Sequence, residues 1–125
     1  GNKTLTYIEL EKKSNQLANY LIKEYNIDKE DFVGVHLDKS EQCIVCLLAI
    51  LKAGAVYVPI DTNYPLDRKQ YIIDDANIKV LITNDSYISD IKFFNDSLLV
   101  IDSVFDVVNY DLENINYASP NGQAY

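Results

Sequence analysis

The hydrophobic pattern near the N-terminus of the chain has the period of an α-helix. Thr6 and Glu9 fit a capping box, in which each side chain bonds the backbone N–H of the other residue. Small and apolar residues then share one helical face, at Leu10, Ser14, Leu17, Ala18 and Leu21. The pattern predicts a helix over residues 7–24.

Short apolar runs rich in β-branched residues follow, and polar segments separate them. They predict four strands, over residues 32–37, 56–60, 78–84 and 97–103. Helices are predicted between the strands, over residues 41–53, 66–76 and 85–94. Strands that alternate with helices are typical of an α/β fold with an open, largely parallel sheet and flanking helices, because parallel neighbours need long crossovers.

Residues with special backbone properties mark the ends of these elements. Ser40 is the predicted N-cap of the second helix, and Gly54 suits its left-handed C-terminal cap. Pro65 fits the first turn of the third helix, and Asn77 is its predicted C-terminal cap. Pro59 has no N–H to donate, so it should lie at a strand end or a sheet edge. The second helix is apolar almost all round, and we expect it to be well buried.

The chain divides into two parts by composition. Residues 1–102 carry the alternating pattern and form the predicted α/β portion. Residues 103–125 are polar and interrupted by Pro120 and Gly122, so we expect a loop or linker there. The sequence begins at Gly1 and contains no Met, and we therefore expect it to be an excerpt of a longer protein.

Composition excludes two classes of partner. Lys and Arg number 11 against 19 Asp and Glu, which gives a net charge of −8. An acidic surface repels nucleic acid and anionic lipid, so we expect neither as a partner. No apolar run reaches the roughly 18 residues of a membrane span, and the polar N-terminus does not resemble a signal peptide.

Three side chains could suggest redox, metal or acid–base chemistry. Cys43 and Cys46 form a C-x-x-C, but they lie inside an apolar helix, where a thiol behaves as a small hydrophobic group. A zinc site would need two further ligands, and His36 is the only histidine. A catalytic histidine needs positioned partners, and none is evident for His36. We expect buried, structural roles for all three.

An acidic residue follows each predicted strand: Asp38, Asp61, Asp85 and Asp102. Ligands of open α/β sheets bind outside the carboxyl ends of the strands, and Mg²⁺ prefers oxygen ligands. These carboxylates therefore raise the hypothesis of a receiver-like, magnesium-binding module. The competing interpretation is that Asp is simply favoured at turns and helix caps, and we prefer it.

Phosphate binding has little support from the residues themselves. The four glycines are scattered, and neither G-x-G-x-x-G nor G-x-x-x-x-G-K-[ST] occurs. The ten tyrosines could stack on bases, but the chain has no basic groove to hold a nucleic-acid backbone.

Two segments carry a family resemblance. Residues 51–65, "LKAGAVYVPIDTNYP", resemble the second core motif of nonribosomal peptide synthetase adenylation domains, and residues 5–10, "LTYIEL", resemble the first. The spacing between them also fits, and the resemblance extends over residues 3–102. It implies a partial N-terminal lobe of an adenylate-forming enzyme.

In that family, a full domain activates an amino acid with ATP and Mg²⁺ as an aminoacyl-adenylate and loads it on a phosphopantetheine thiol of a carrier domain. The resemblance thus implies a cytoplasmic synthetase in which the rest of the adenylation domain, the carrier domain and the condensation domain are partners. Ala124 and Tyr125 match the last residues of a triplet that precedes the family's phosphate loop. We assign no catalytic, cofactor-binding or metal-binding residue to this chain, and we expect it to be inactive and to bind no cofactor by itself.

Three alternatives remain open from the sequence. The parent could be another adenylate-forming ligase, acting on an acyl group, an aryl acid or D-alanine. The chain could be a stand-alone receiver-like module that uses the strand-end aspartates. It could also be a truncated relative that serves only in protein contacts.

Overall fold

The computed structural model describes residues 6–92, 94 and 97–102 of the chain. In chain order the elements are α1 (Tyr7–Tyr25), β1 (Phe32–Val35), α2 (Glu41–Lys52), β2 (Val56–Pro59), α3 (Leu66–Ala76), β3 (Val80–Thr83), a 3₁₀ turn (Ile88–Ile91) and β4 (Ser97–Val100). The predicted tail over residues 103–125 lies outside the described residues.

The strands form one parallel sheet in the order β2-β1-β3-β4. The chain moves from β1 to β2 in one direction and then returns across β1 to reach β3. Because such crossovers are right-handed, this reversal places α2 on one face of the sheet and α3 on the other. The predicted α/β architecture, with a parallel sheet and flanking helices, is confirmed.

The core has a part on each face of the sheet. On the α1–α2 face, Leu17 and Leu21 of α1 and Ile50 of α2 pack with Val33 of β1 and Ile82 of β3. A smaller cluster lies on the α3 face, and its buried members are Ile60, Ile73, Ile78, Leu81 and Ile91. Successive strand residues point to opposite faces, so β3 supplies Val80 and Ile82 to the first part of the core and Leu81 to the second.

Local signals explain where the helices begin and end. Thr6 and Glu9 form the predicted capping box at the start of α1. Ser40 Oγ accepts a hydrogen bond from the Cys43 N–H and caps α2 as predicted. Gly54 follows α2 with φ of 83°, the left-handed conformation that glycine adopts without strain. Asn77 ends α3, also in the left-handed region.

Other predictions need correction. The second helix is not buried all round, since Ile44 is 49% and Leu51 is 56% exposed. Apolarity alone could not tell which side of α2 the sheet would cover. Pro65 is the N-cap of α3 rather than a residue of its first turn. The predicted fourth helix is only the short 3₁₀ turn at Ile88–Ile91.

The prediction for Pro59 is confirmed, because it is the last residue of β2, an edge strand of the described sheet. Gly34, in central β1, lies in close contact with the α3-side core. A Cβ there would lie 2.9 Å from Leu81 Cδ1 and 3.1 Å from Ile78 Cδ1, so a larger residue would require the ends of these two side chains to shift. Within the part of the chain that the structure describes, no helix is both long and apolar enough to cross a membrane.

Candidate functional site

Polar side chains concentrate at the carboxyl edge of the sheet. Open α/β folds bind ligands at this edge, above all where the chain reverses its direction of strand addition. Here the reversal lies between β1 and β3. His36 and Asp38 follow β1, and Thr83 ends β3 and faces them.

Asp38 joins the loops that follow three strands. Its carboxylate accepts one hydrogen bond from Thr62 Oγ1 at 2.8 Å, after β2, and another from Tyr87 Oη at 2.6 Å, after β3. The bond from Tyr87, followed by that from Thr62, lowers the pKa of Asp38 because both favour the ionised carboxylate. Both oxygens are therefore engaged within the protein, and Asp38 acts as a brace.

His36 lies beneath this brace and is fully buried. Its Nδ1 is 3.2 Å from Thr83 Oγ1, and its ring meets the Tyr87 ring edge to face at 5.8 Å. Burial lowers the pKa of His36 to about 4, and the Lys69 cation adds to the shift. The imidazole is therefore neutral near pH 7. The Thr83 hydroxyl that contacts the ring donates to the His36 carbonyl oxygen, so the predicted structural role agrees with the position of His36.

Lys69 is a buried cation that the sequence analysis missed. It comes from α3 and is 2% exposed. Its ammonium donates to the Thr62 carbonyl at 2.9 Å and pairs with Asp90 Oδ2 at 3.4 Å. Lys69 thus links α3, the loop after β2 and the 3₁₀ turn. A signal was present in the sequence, since Lys69 precedes buried Ile73 by four residues and shares its helical face.

The strand-end aspartates do not converge on one point. Asp61 Oδ1 accepts a hydrogen bond from the Asn63 N–H at 2.8 Å, an Asx turn. Asp102 Oδ2 accepts one from the Asp85 N–H at 3.0 Å. Among residues 6–92, 94 and 97–102, no group of three or more acidic, histidine or cysteine side chains could hold a metal ion. These positions agree with turn and capping roles, and they do not favour the receiver-like hypothesis.

A cleft of about 460 Å³ opens beside the brace, at the carboxyl ends of β1 and β2. Leu37, Cys43 and Tyr57 form part of its apolar wall, and Asp38 and Asp61 lie on its polar rim. Such a mixed lining suits a small, mostly neutral group.

The cysteines occupy different environments. Cys46 is fully buried in the α1–α2 core, and burial raises the pKa of its thiol. Cys43 is half-buried, and its Sγ lies 3.9 Å from Tyr57 Oη at the cleft. Burial raises the pKa of Tyr57 to about 12, so this phenol stays neutral. Buried, neutral Cys46 agrees with the predicted inert role, whereas Cys43 is more accessible than predicted.

The side chains at this edge do not fit the phosphates of a nucleoside triphosphate. The rim presents the carboxylates of Asp38 and Asp61, which repel phosphate, and Lys39 is the only cationic residue among those that line the cleft. The only buried ammonium in the described structure, that of Lys69, is already bonded to the Thr62 carbonyl and Asp90. We derive no step of phosphate chemistry from these residues.

Comparison with known sequences gives a family match. The family model described as "AMP-binding enzyme" matches residues 1–118. Tyrocidine synthase 1 from Brevibacillus parabrevis is 46% identical to the chain over 85 residues, which make up 68% of this chain and 8% of that protein.

Comparison with solved structures gives the same fold. The structure of VinN with L-aspartate has a TM-score of 0.83 at 20% identity, over 96% of this chain and 33% of VinN. The nonribosomal peptide synthetase FmoA3 has a TM-score of 0.77 at 26% identity, over 85% of this chain and 11% of FmoA3. The chain therefore spans only a small part of the synthetases that it matches.

Proposed function

Because the chain belongs to the AMP-binding enzyme family and corresponds to part of an amino-acid adenylation domain, we propose that it serves a nonribosomal peptide synthetase as the N-terminal scaffold of that domain. The observation that carries this proposal is the family match over residues 1–118, together with the 46% identity to tyrocidine synthase 1. The family motifs at residues 5–10 and 51–65 both lie within the matched range.

The longer protein would join an amino acid to AMP, release pyrophosphate and pass the acyl group to a phosphopantetheine thiol. ATP and Mg²⁺ would be its cofactors, and its partners would be the rest of the adenylation domain and the carrier and condensation domains. We place this protein in the cytoplasm, where ATP and amino acids are available.

The scaffold role is supported by what the polar residues at the carboxyl edge already bind. Asp38, Thr62, Tyr87 and Lys69 are bonded to one another or to neighbouring loops. Side chains engaged in this way hold loops in place, and they are not free to take up substrate. We therefore assign the catalytic and nucleotide-binding residues to other parts of the longer protein.

The direct test is amino-acid-dependent ATP–pyrophosphate exchange by the longer protein. We expect one amino acid, or a few of similar shape, to stimulate exchange well above the level without amino acid. Exchange with only fatty or aryl acids would overturn the peptide synthetase assignment and favour another ligase of the same superfamily.

Two further measurements test whether the catalytic residues lie outside this chain. The 125-residue chain alone should give no exchange, and ATP-dependent turnover by it would contradict the scaffold role. In the longer protein, Asp61→Asn should leave the kcat/KM of exchange within about twofold of the parent value, since Asp61 is exposed and its described bond is to a turn N–H. A large loss of kcat in a folded Asp61→Asn protein would place the cleft in the catalytic site.

A further inference from the structure

We propose that one internal water molecule bridges His36 Nε2 and Lys69 Nζ on the α3 side of the sheet. The starting point is that His36 Nε2 is a buried nitrogen with no hydrogen-bond partner among the described residues. Buried polar atoms in native proteins are almost always satisfied, by protein groups or by ordered water.

The hydrogen bonds of Thr83 favour one tautomer of His36. The Thr83 hydroxyl donates its one proton to the His36 carbonyl oxygen at 3.0 Å. At the longer, 3.2 Å contact with the ring, Thr83 Oγ1 then accepts, and we assign the proton of the neutral imidazole to His36 Nδ1. In a neutral imidazole the other nitrogen is then unprotonated. His36 Nε2 thus presents a lone pair, and its missing partner must be a hydrogen-bond donor.

The Lys69 ammonium has one N–H that can donate a further hydrogen bond. An ammonium carries three N–H donors, and the described structure gives that of Lys69 two acceptors, the Thr62 carbonyl and Asp90 Oδ2. The Lys69 side chain is almost completely buried, so bulk water does not readily reach a remaining N–H. One N–H of the buried Lys69 ammonium therefore also needs an acceptor on this side of the sheet.

The fold brings these groups to the same side. His36 lies two residues after Gly34, and its N–H still donates to the Ile82 carbonyl of β3 just past the end of β1. Both residues therefore point to the face where Gly34 meets Ile78 and Leu81. Lys69 shares the inner face of α3 with Ile73, which packs in that same cluster. The Lys69 cation is also an electrostatic neighbour of the His36 ring.

No direct hydrogen bond joins the ammonium and the ring, because His36 Nε2 has no partner within bonding distance. Two buried polar groups that interact without a direct hydrogen bond are commonly bridged by water. A water molecule would accept from Lys69 Nζ–H and donate to His36 Nε2, and its second proton could reach a neighbouring acceptor. Internal waters typically make about three such bonds. A bound cation is disfavoured there because Lys69 already supplies the positive charge.

The first test is a high-resolution crystal structure of the full chain, or of the longer protein that contains it. We expect a water peak about 2.7–3.2 Å from both His36 Nε2 and Lys69 Nζ. Empty space at that position, or a direct bond between the two nitrogens, would overturn the proposal.

The second test uses nuclear magnetic resonance on the same protein. We expect ¹⁵N shifts of the Nδ1–H tautomer for His36 and a cross-peak between a long-lived water and the His36 or Tyr87 ring protons. Lys69→Met should abolish the water cross-peak, whereas Lys79→Met, which removes an ammonium from a half-exposed ion pair, should retain it. An Nε2–H tautomer, or no water cross-peak in the unmutated chain, would contradict the bridge even if Lys69→Met fails to fold.

Discussion

The two faces of the sheet are built from different chemistry. On the α1–α2 face, apolar side chains from two helices cover the strands, with Leu17, Leu21 and Ile50 fully buried. On the α3 face the apolar cluster is smaller, and buried Lys69 and His36 lie at its carboxyl end. The first face is stabilised mainly by removal of apolar surface from water, and the second depends also on complete hydrogen bonding. Mutations should therefore act by different mechanisms on the two faces.

The largest effect is expected from a cavity on the α1–α2 face. Leu21→Ala should lower the free energy of unfolding by about 2–5 kcal/mol, because Leu21 is fully buried. The matched control is the next residue: Ile22 is 45% exposed, so Ile22→Ala should cost less than about 1 kcal/mol. Urea unfolding of both variants measures the difference, and equal losses would contradict the packing described for α1.

The α3 face should respond to acid. The pKa of His36 is about 4 in the folded chain, below the ordinary 6.5, so the unfolded chain takes up this proton first. Stability is therefore intact above pH 6.5 and falls as pH decreases towards 4, by an amount on the order of 3 kcal/mol. Lys69 strengthens this shift, whereas the nearby carboxylates of Asp90, Asp38 and Asp61 oppose it.

A pH series of urea unfolding compares the parent chain with His36→Asn, which does not titrate. The variant should lose less stability between pH 6.5 and 4. The carboxylate of Asp38 has a lowered pKa, so its contribution is lost only at more acidic pH, below its ordinary value of 3.8. Equal losses for parent and variant between pH 6.5 and 4 would show that His36 is not buried in its neutral form.

Removal of the buried cation should have a smaller effect. Lys69→Met leaves the Thr62 carbonyl without its donor and should cost about 1–3 kcal/mol. Lys79 pairs with Asp31 at 3.1 Å but is 39% exposed, so Lys79→Met should cost less than about 1 kcal/mol. Equal free energies of unfolding for Lys69→Met and Lys79→Met in chemical denaturation would show that burial does not strengthen the hydrogen bonds of Lys69.

The smallest effect is expected at the helix starts, where the faces also differ. The capping box of Thr6 begins α1, whereas Pro65 begins α3 without a side-chain cap. Thr6→Ala should cost about 1 kcal/mol, because one N–H of the first turn loses its acceptor. Thr6→Ser keeps that acceptor and should remain close to the parent in thermal unfolding. A loss as large in the serine variant would mean that the methyl group, not the hydroxyl, stabilises this end.

Much of the fold was predictable because its signals are local. The capping box at Thr6, the cap at Ser40 and the left-handed positions of Gly54 and Asn77 depend on neighbouring residues only, and all four are confirmed. The alternation of strands and helices likewise predicted the parallel sheet. The family motifs predicted the adenylation-domain relationship that the comparisons support.

The site was predictable only in part. Strand periodicity indicated that Asp38, Asp61 and Asp85 would follow strands, but not what each would bind. The strand order decides that Asp38 meets Thr62 and Tyr87, which lie 24 and 49 residues away in the sequence. The exposure of Ile44 on α2 was missed for the same reason, since it depends on which side of the helix the sheet covers.

The sequence by itself determined the three α-helices, the four strands, most of their ends and the family to which the chain belongs. Those features depend on backbone preference, hydrophobic period and motif spacing, all of which a linear chain carries. Only the tertiary structure decided that Lys69, His36 and Thr83 lie on one side of the sheet, and that α2 leaves apolar residues exposed. The return of the chain from β2 across β1 to β3 places α3 on the face opposite α2 and brings together residues that no local pattern relates.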